Sequence, residues 1–377
     1  QWSHGAFIPA KRPCENRPIS GKENMNSRER IRAIVAGKPA DRCGLWLGNP
    51  HADTWPLLHE YFGTCSEEEL RRLLGDDVRW IPAGVYRHPE GKPIFDMQRT
   101  GPGHGAAGVF ANCEDVQEVH DFAWPDPDYL DFSGVIQQLE QAGDAYRAGG
   151  FWCPFFHNVA DFFGMENYFI KMYTHPEVVH AVTRHVVDFY LEANTRFFRT
   201  AGDLVDAFFF GNDFGSQLNL LVSPDSFREF VFPYFRELTD LGHRQGLQVI
   251  LHSCGSIHRV IPDLISLGVD ALHPLQAMAT DMEAENLSQH YEGQIAFMGG
   301  IDTQHLLVHG VPEDIKTDVR RVKALLGPRL IVSPSHEAVL PNVPPRNIEA
   351  MAEAALEYSD GIVVKQIWRA RCSTKYR

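Results

Sequence analysis

The stretch LQVILHSCGSIHRVIPDLISLGVDALHPLQ, residues 247–276, holds the unit on which the fold reading rests. Residues 247–253 and 269–274 are short apolar runs of the length of a buried strand, and the segment after HSCG reads as a helix. A strand, a helix and a second strand in this order imply a parallel pair with a crossover. Each run ends in polar residues: His252-Ser253-Cys254-Gly255 in the first, His273-Pro274-Leu275-Gln276 in the second.

The same alternation continues in both directions. Further apolar runs lie at 43–48, 78–84, 150–156, 204–211, 294–300 and 329–334. Amphipathic helical patterns cover 176–199, 224–246 and 312–327, and a helix capped by Asn26 or Ser27 runs to Gly37. About eight strands over some 330 residues predict an α/β chain folded as one (β/α)8 TIM barrel. Residues 85–150 fit the alternation least and read as a lid or hairpin inserted after the second strand. Residues 1–24 have no periodicity and read as an N-terminal tail or arm, leaving 25–377 for the barrel.

Composition narrows the function. The 377 residues carry 35 Lys+Arg against 49 Asp+Glu, a net charge of −14, with no basic run to hold a phosphate backbone, so nucleic acid is not an expected partner. No stretch reaches the roughly 18–20 apolar residues of a membrane helix. Seven scattered cysteines fit a reducing cytoplasm better than a disulfide scaffold. No GxGxxG or Walker sequence supplies a nucleotide cradle.

The functional signal is positional. His157-Asn158, Asn212-Asp213 with Gln217, His252 with Cys254, Gln276, Asp302 with Gln304, and His336-Glu337 all follow apolar runs. In a barrel those ends converge on one face, where the active sites of this fold lie. Residues i and i+2 of a strand share a face, so His252 and Cys254 can both look into the mouth. Imidazole with thiolate suits zinc. His336 is the candidate third ligand, with Glu337 or Asp213 as a fourth and one position left for water or substrate. Asn158, Gln217, Gln276, Asp302 and Gln304 are candidate substrate-binding residues; His157, Asp213 and Glu337 are candidate catalytic residues, with His157 or Glu337 moving a proton.

These motifs also carry a resemblance. MNSRERIRAIVAGKPADRCGLW (25–46), ILHSCGSIHRVIPDLISLGVDALHPLQ (250–276), FMGGIDTQ (297–304) and SPSHEAVLPNVPPRNIEAM (333–351) resemble the uroporphyrinogen decarboxylase superfamily. It includes true decarboxylases and zinc-dependent methyltransferases that act on methyl-corrinoid proteins, and the chain is closer to the latter. The resemblance implies zinc at His252 and Cys254, with His336 where the methyltransferases carry a third, cysteine ligand. The implied reaction moves a methyl group between a small-molecule methyl donor or thiol acceptor and a corrinoid (cobalamin) carried by a partner protein. Homodimerisation is left open. The alternative is metal-free decarboxylation of a carboxylated substrate. The decarboxylases grip substrate carboxylates with arginines near the first strand, whereas here residues 43–70 contain no Lys or Arg.

Overall fold

The structure is a computed structural model and describes residues 25–357. The expected tail at 1–24 and the chain end at 358–377 lie outside the described residues.

Eight parallel strands form the barrel wall: β1 Gly44–Leu45, β2 Val78–Pro82, β3 Tyr146–Gly150, β4 Ala207–Gly211, β5 Gln248–His252, β6 Ala271–Leu275, β7 Ala296–Ile301 and β8 Leu330–Pro334. Their order around the sheet is β1-β8-β7-β6-β5-β4-β3-β2. The seam between β1 and β2 is closed by Asp77. Its backbone N–H donates to the Leu45 carbonyl at 2.8 Å, and its carboxylate accepts the Leu45 N–H at 3.0 Å. A side chain thus stands in for a missing ladder bond, which keeps the buried backbone groups satisfied. This is the (β/α)8 barrel that the alternation implied.

Alternation along the strands explains the core. On β4, Ala207 and Phe209 point inward while Phe208 and Phe210 pack outward under the helices. The interior combines small residues (Ala148, Ala207, Ala271, Ala296) with large ones (Trp46, Phe209, Met298), so the layers interdigitate. Helix Ser27–Val35 plugs the base with Ile31, Ile34 and Val35. Its start is fixed by a capping box between Asn26 and Glu29.

Two local readings shift. The third strand is YRAGG at 146–150, not the apolar run 150–156. That run turns through Cys153, at φ 51°, into helix Phe155–Phe163, so His157 and Asn158 sit on a helix beside the mouth. Its seven apolar-rich residues imitate a buried strand because a buried helix start has the same composition. The helical run at 224–246 is two helices, Pro224–Phe230 and Phe232–Arg244, broken where Pro233 cannot donate a backbone hydrogen bond. The insertion after β2 contains an antiparallel pair, Val85–Tyr86 with Leu130–Asp131. It is fastened to helix Phe155–Phe163: Phe110 N–H donates to the Phe162 carbonyl at 2.9 Å, and His104 Nδ1 lies 2.8 Å from Asp161 Oδ1.

Candidate active site at the barrel mouth

His252 is the last residue of β5 and is nearly fully buried. One edge of its ring faces the loops after β4 and β5. Nε2 lies 3.3 Å from Cys254 Sγ and 3.4 Å from Asp213 Oδ1. The other edge faces β6 and the loop after β8, with Nδ1 3.0 Å from His273 Nδ1 and 3.6 Å from Glu337 Oε2. One imidazole therefore separates two donor groups, Asp213–His252–Cys254 and His252–His273–Glu337, the ligand atoms of each lying within 4.8 Å of one another.

The backbone explains how Asp213 and Cys254 meet. Cys254 N–H donates to Asp213 Oδ1 at 2.8 Å, and Gly255 N–H donates to Gln276 Oε1 at 2.7 Å. Gly255 has φ +85°, and a Cβ there would lie 2.5 Å from the backbone of Gly215, so only glycine lets these two loops touch. Gly211 similarly leaves room for Trp152: a Cβ would meet its ring at 2.4 Å. Trp152 in turn stacks at an angle over His252, with ring centres 5.0 Å apart.

Burial disfavours the charged form of both histidines. It lowers the pKa of His252, against the opposing pull of Glu337 and Asp213, and lowers that of His273 further. Burial pushes the Cys254 thiol well up, and Asp213 and Glu337 add to it. A neutral imidazole nitrogen, a sulfur and a carboxylate oxygen gathered this closely form a donor set that fits zinc better than the oxygen-only cages of magnesium or calcium.

The remaining candidates are distributed as follows. His336 is in neither donor group: its ring centre is 6.4 Å from that of His252, and its Nδ1 accepts the Ala338 N–H at 3.1 Å. Both ring nitrogens of His157 are buried without a hydrogen-bond partner, and His104 of the insertion lies 5.5 Å away, centre to centre. Asn158 accepts the Tyr190 hydroxyl at 2.7 Å. Asp302 accepts the backbone N–H groups of Gln304, His305 and Leu306, which shapes the loop after β7. Gln217 and Gln304 are exposed. Sequence reasoning gave no role to His273, Trp152 or Asn212. Asn212 rivets the mouth, accepting Phe156 N–H at 3.0 Å and donating to the Cys153 carbonyl at 2.8 Å.

Fold and site together define a parallel α/β barrel with a nitrogen, sulfur and oxygen donor cluster at the C-terminal ends of its strands. The uroporphyrinogen decarboxylase (URO-D) family model matches residues 112–358, and the chain belongs to that family. A methyltransferase from Methanosarcina mazei has a similar fold, with a TM-score of 0.60 at 15% identity over 88% of this chain and 98% of that one. A putative vitamin-B12 independent methionine synthase from Listeria monocytogenes is more distant, with a TM-score of 0.42 at 10% identity over 84% and 97% of the two chains. No curated protein sequence matches. No helix among the described residues is long and apolar enough to cross a membrane.

Proposed function

We propose that this protein is a zinc-dependent methyltransferase that moves a methyl group between a small molecule and a corrinoid protein. The convergence of His252 Nε2, Cys254 Sγ and Asp213 Oδ1 carries the reading. These three residues would hold the metal, with His336 and Glu337 on the adjoining loop as further candidates. Bound zinc supplies Lewis acidity, either lowering the pKa of a thiol acceptor or polarising the donor atom that releases the methyl group.

The protein's own groups do the rest. Trp152 walls the mouth beside His252 and would shield it from water. His157, with both nitrogens unpartnered, would take or give the proton at the atom that gains or loses the methyl group, with Glu337 as the other candidate for this role. Gln276 and Asp302 hold the loops after β5 and β7 in place through backbone N–H groups.

The decarboxylase reading has less support. Substrate carboxylates need free cationic partners. Arg42, just before β1, is committed to the buried Asp77 at 2.8 Å, and Arg71 to Asp76 at 2.6 Å. Metal analysis of protein purified without added metal tests the proposal. Wild-type protein should carry about one zinc, and His252→Ala should lose it. Wild-type protein that takes up none, even after incubation with zinc, would end the reading.

A further inference from the structure

His252 uses both of its ring nitrogens. If Nε2 faces a metal, it must present a lone pair, and the ring proton must sit on Nδ1. Nδ1 lies 3.0 Å from Nδ1 of His273. Two nitrogens at that distance share one proton, because two protons or two lone pairs would repel. The tautomers of the two rings are therefore linked. When His252 holds the shared proton, its Nε2 is free for a metal. When His273 holds it, His252 carries its own proton on Nε2 and is blocked.

His273 has little freedom to turn away. It is fully buried, with its ring centre 4.9 Å from Trp46 and 5.4 Å from Phe209. Its Nε2 has no partner, and neither has Ser333 Oγ. Strand parity turns both of these orphans inward. His273 lies two residues beyond the inward-facing Ala271 on β6, and Ser333 two beyond the inward-facing Ile331 on β8. Alternate strands of a barrel supply the side chains of one interior layer, so β6 and β8 can place His273 and Ser333 on the same interior. Buried polar groups without partners call for an explanation, and a shared proton path explains both.

We propose that Ser333, His273 and His252 form a buried relay that fixes His252 in its metal-binding tautomer. In this relay Ser333 Oγ accepts a hydrogen bond from His273 Nε2–H, His273 Nδ1 accepts one from His252 Nδ1–H, and His252 Nε2 is left with its lone pair. His273 is thus a positioning residue. The proposal rests on the metal reading above. Outer partners of this kind orient histidine ligands, and their loss typically weakens metal binding 10–100-fold.

The test is a titration of the full-length protein with cobalt(II), followed by zinc competition. His273→Leu removes the acceptor and should weaken binding about ten- to a hundredfold. His273→Asn puts its side-chain oxygen near the place of Nδ1 and should restore affinity to within a few-fold of wild type. A leucine variant with wild-type affinity overturns the relay and leaves the proposed function standing. No metal uptake by wild-type protein overturns both. If the leucine variant does not fold, 15N NMR of the zinc-loaded wild type decides. Scalar coupling between the two Nδ1 atoms supports the relay, and uncoupled rings refute it.

Discussion

The two ends of this barrel treat their buried acids differently, although the base too keeps buried nitrogens without a partner, Arg147 Nε and Arg329 Nε. At the base, Asp206 and Asp77 are fully buried and richly paired. Asp206 receives Arg28 and Arg32 and the Arg147 backbone N–H; Asp77 receives Ser27, Arg30, Arg42 and the Leu45 N–H. At the mouth, His157, His273, Ser333 and Glu337 each keep a buried atom with no hydrogen-bond partner. Such groups are costly to leave unmade. The contrast separates the ends by purpose. The base uses its charges to close the seam and seat the N-terminal helix, whereas the mouth keeps donors and acceptors available for something it binds.

The sharpest way to break this contrast is Cys254→Ser. A hydroxyl is a far poorer zinc ligand than a thiolate. Metal content and, on the proposed function, methyl transfer from a candidate donor to a corrinoid protein should both fall by more than a hundredfold, the upper end of what an outer-shell change produces. The fold should survive, because Cys254 sits on the loop after β5, outside the packed layers. Circular dichroism on the same sample checks this. Normal turnover would return Cys254 to a packing role, and an unfolded variant would mean that the mouth, like the base, holds the fold together.

The reciprocal change is Asp77→Ala at the base. It strands Arg42, takes one of two carboxylate partners from Arg30, which keeps Asp41, and leaves Leu45 N–H without its acceptor. Removing one partner from a buried ion pair costs about 3–5 kcal/mol. Denaturant unfolding should show a loss of that size, while the folded fraction should bind metal as the wild type does. A loss below about 1 kcal/mol would put the base in the class of surface ion pairs and erase the contrast.

The sequence made the mouth legible where the signal was local. His252 and Cys254 share a strand face by parity alone, and the polar ends of successive apolar runs located the mouth before any contact was known. What escaped reading depends on partners in other strands. His273 stands at a strand end like His252, yet its pairing with His252 follows from the β5–β6 register, which places the two residues side by side. Asp302 and Asn158 look like free polar groups in the sequence, but spend their oxygens on backbone N–H groups and on Tyr190. The third strand was displaced because YRAGG carries an arginine and three small residues, while the apolar run after it has the stronger strand pattern. Within a wall this tightly closed, small inward residues are what the space allows.

The smallest expected effect lies on the insertion, where the chemistry of the base recurs in the open. Arg87 Nε is 2.7 Å from Asp131 Oδ2, and the Ser133 N–H donates to Asp131 Oδ1 at 2.9 Å. The Ser133 N–H, followed by Arg87, holds the Asp131 carboxyl down at about 2, from an ordinary 3.8. A carboxyl depressed on folding stabilises the folded form above its unfolded value, and this contribution disappears as the pH falls through about 2. Because the pair is exposed, Asp131→Asn should barely move the unfolding midpoint. An NMR titration is the sensitive measurement: the Asp131 carboxyl should titrate near 2 in dilute salt. Added salt should raise that midpoint only partly, since it screens Arg87 but not the short bond from Ser133. A midpoint near the ordinary value would mean that the turn at Ser133 and the ion pair to Arg87 are open in solution, which would leave the hairpin at the mouth without the local contacts that distinguish it from a loose loop.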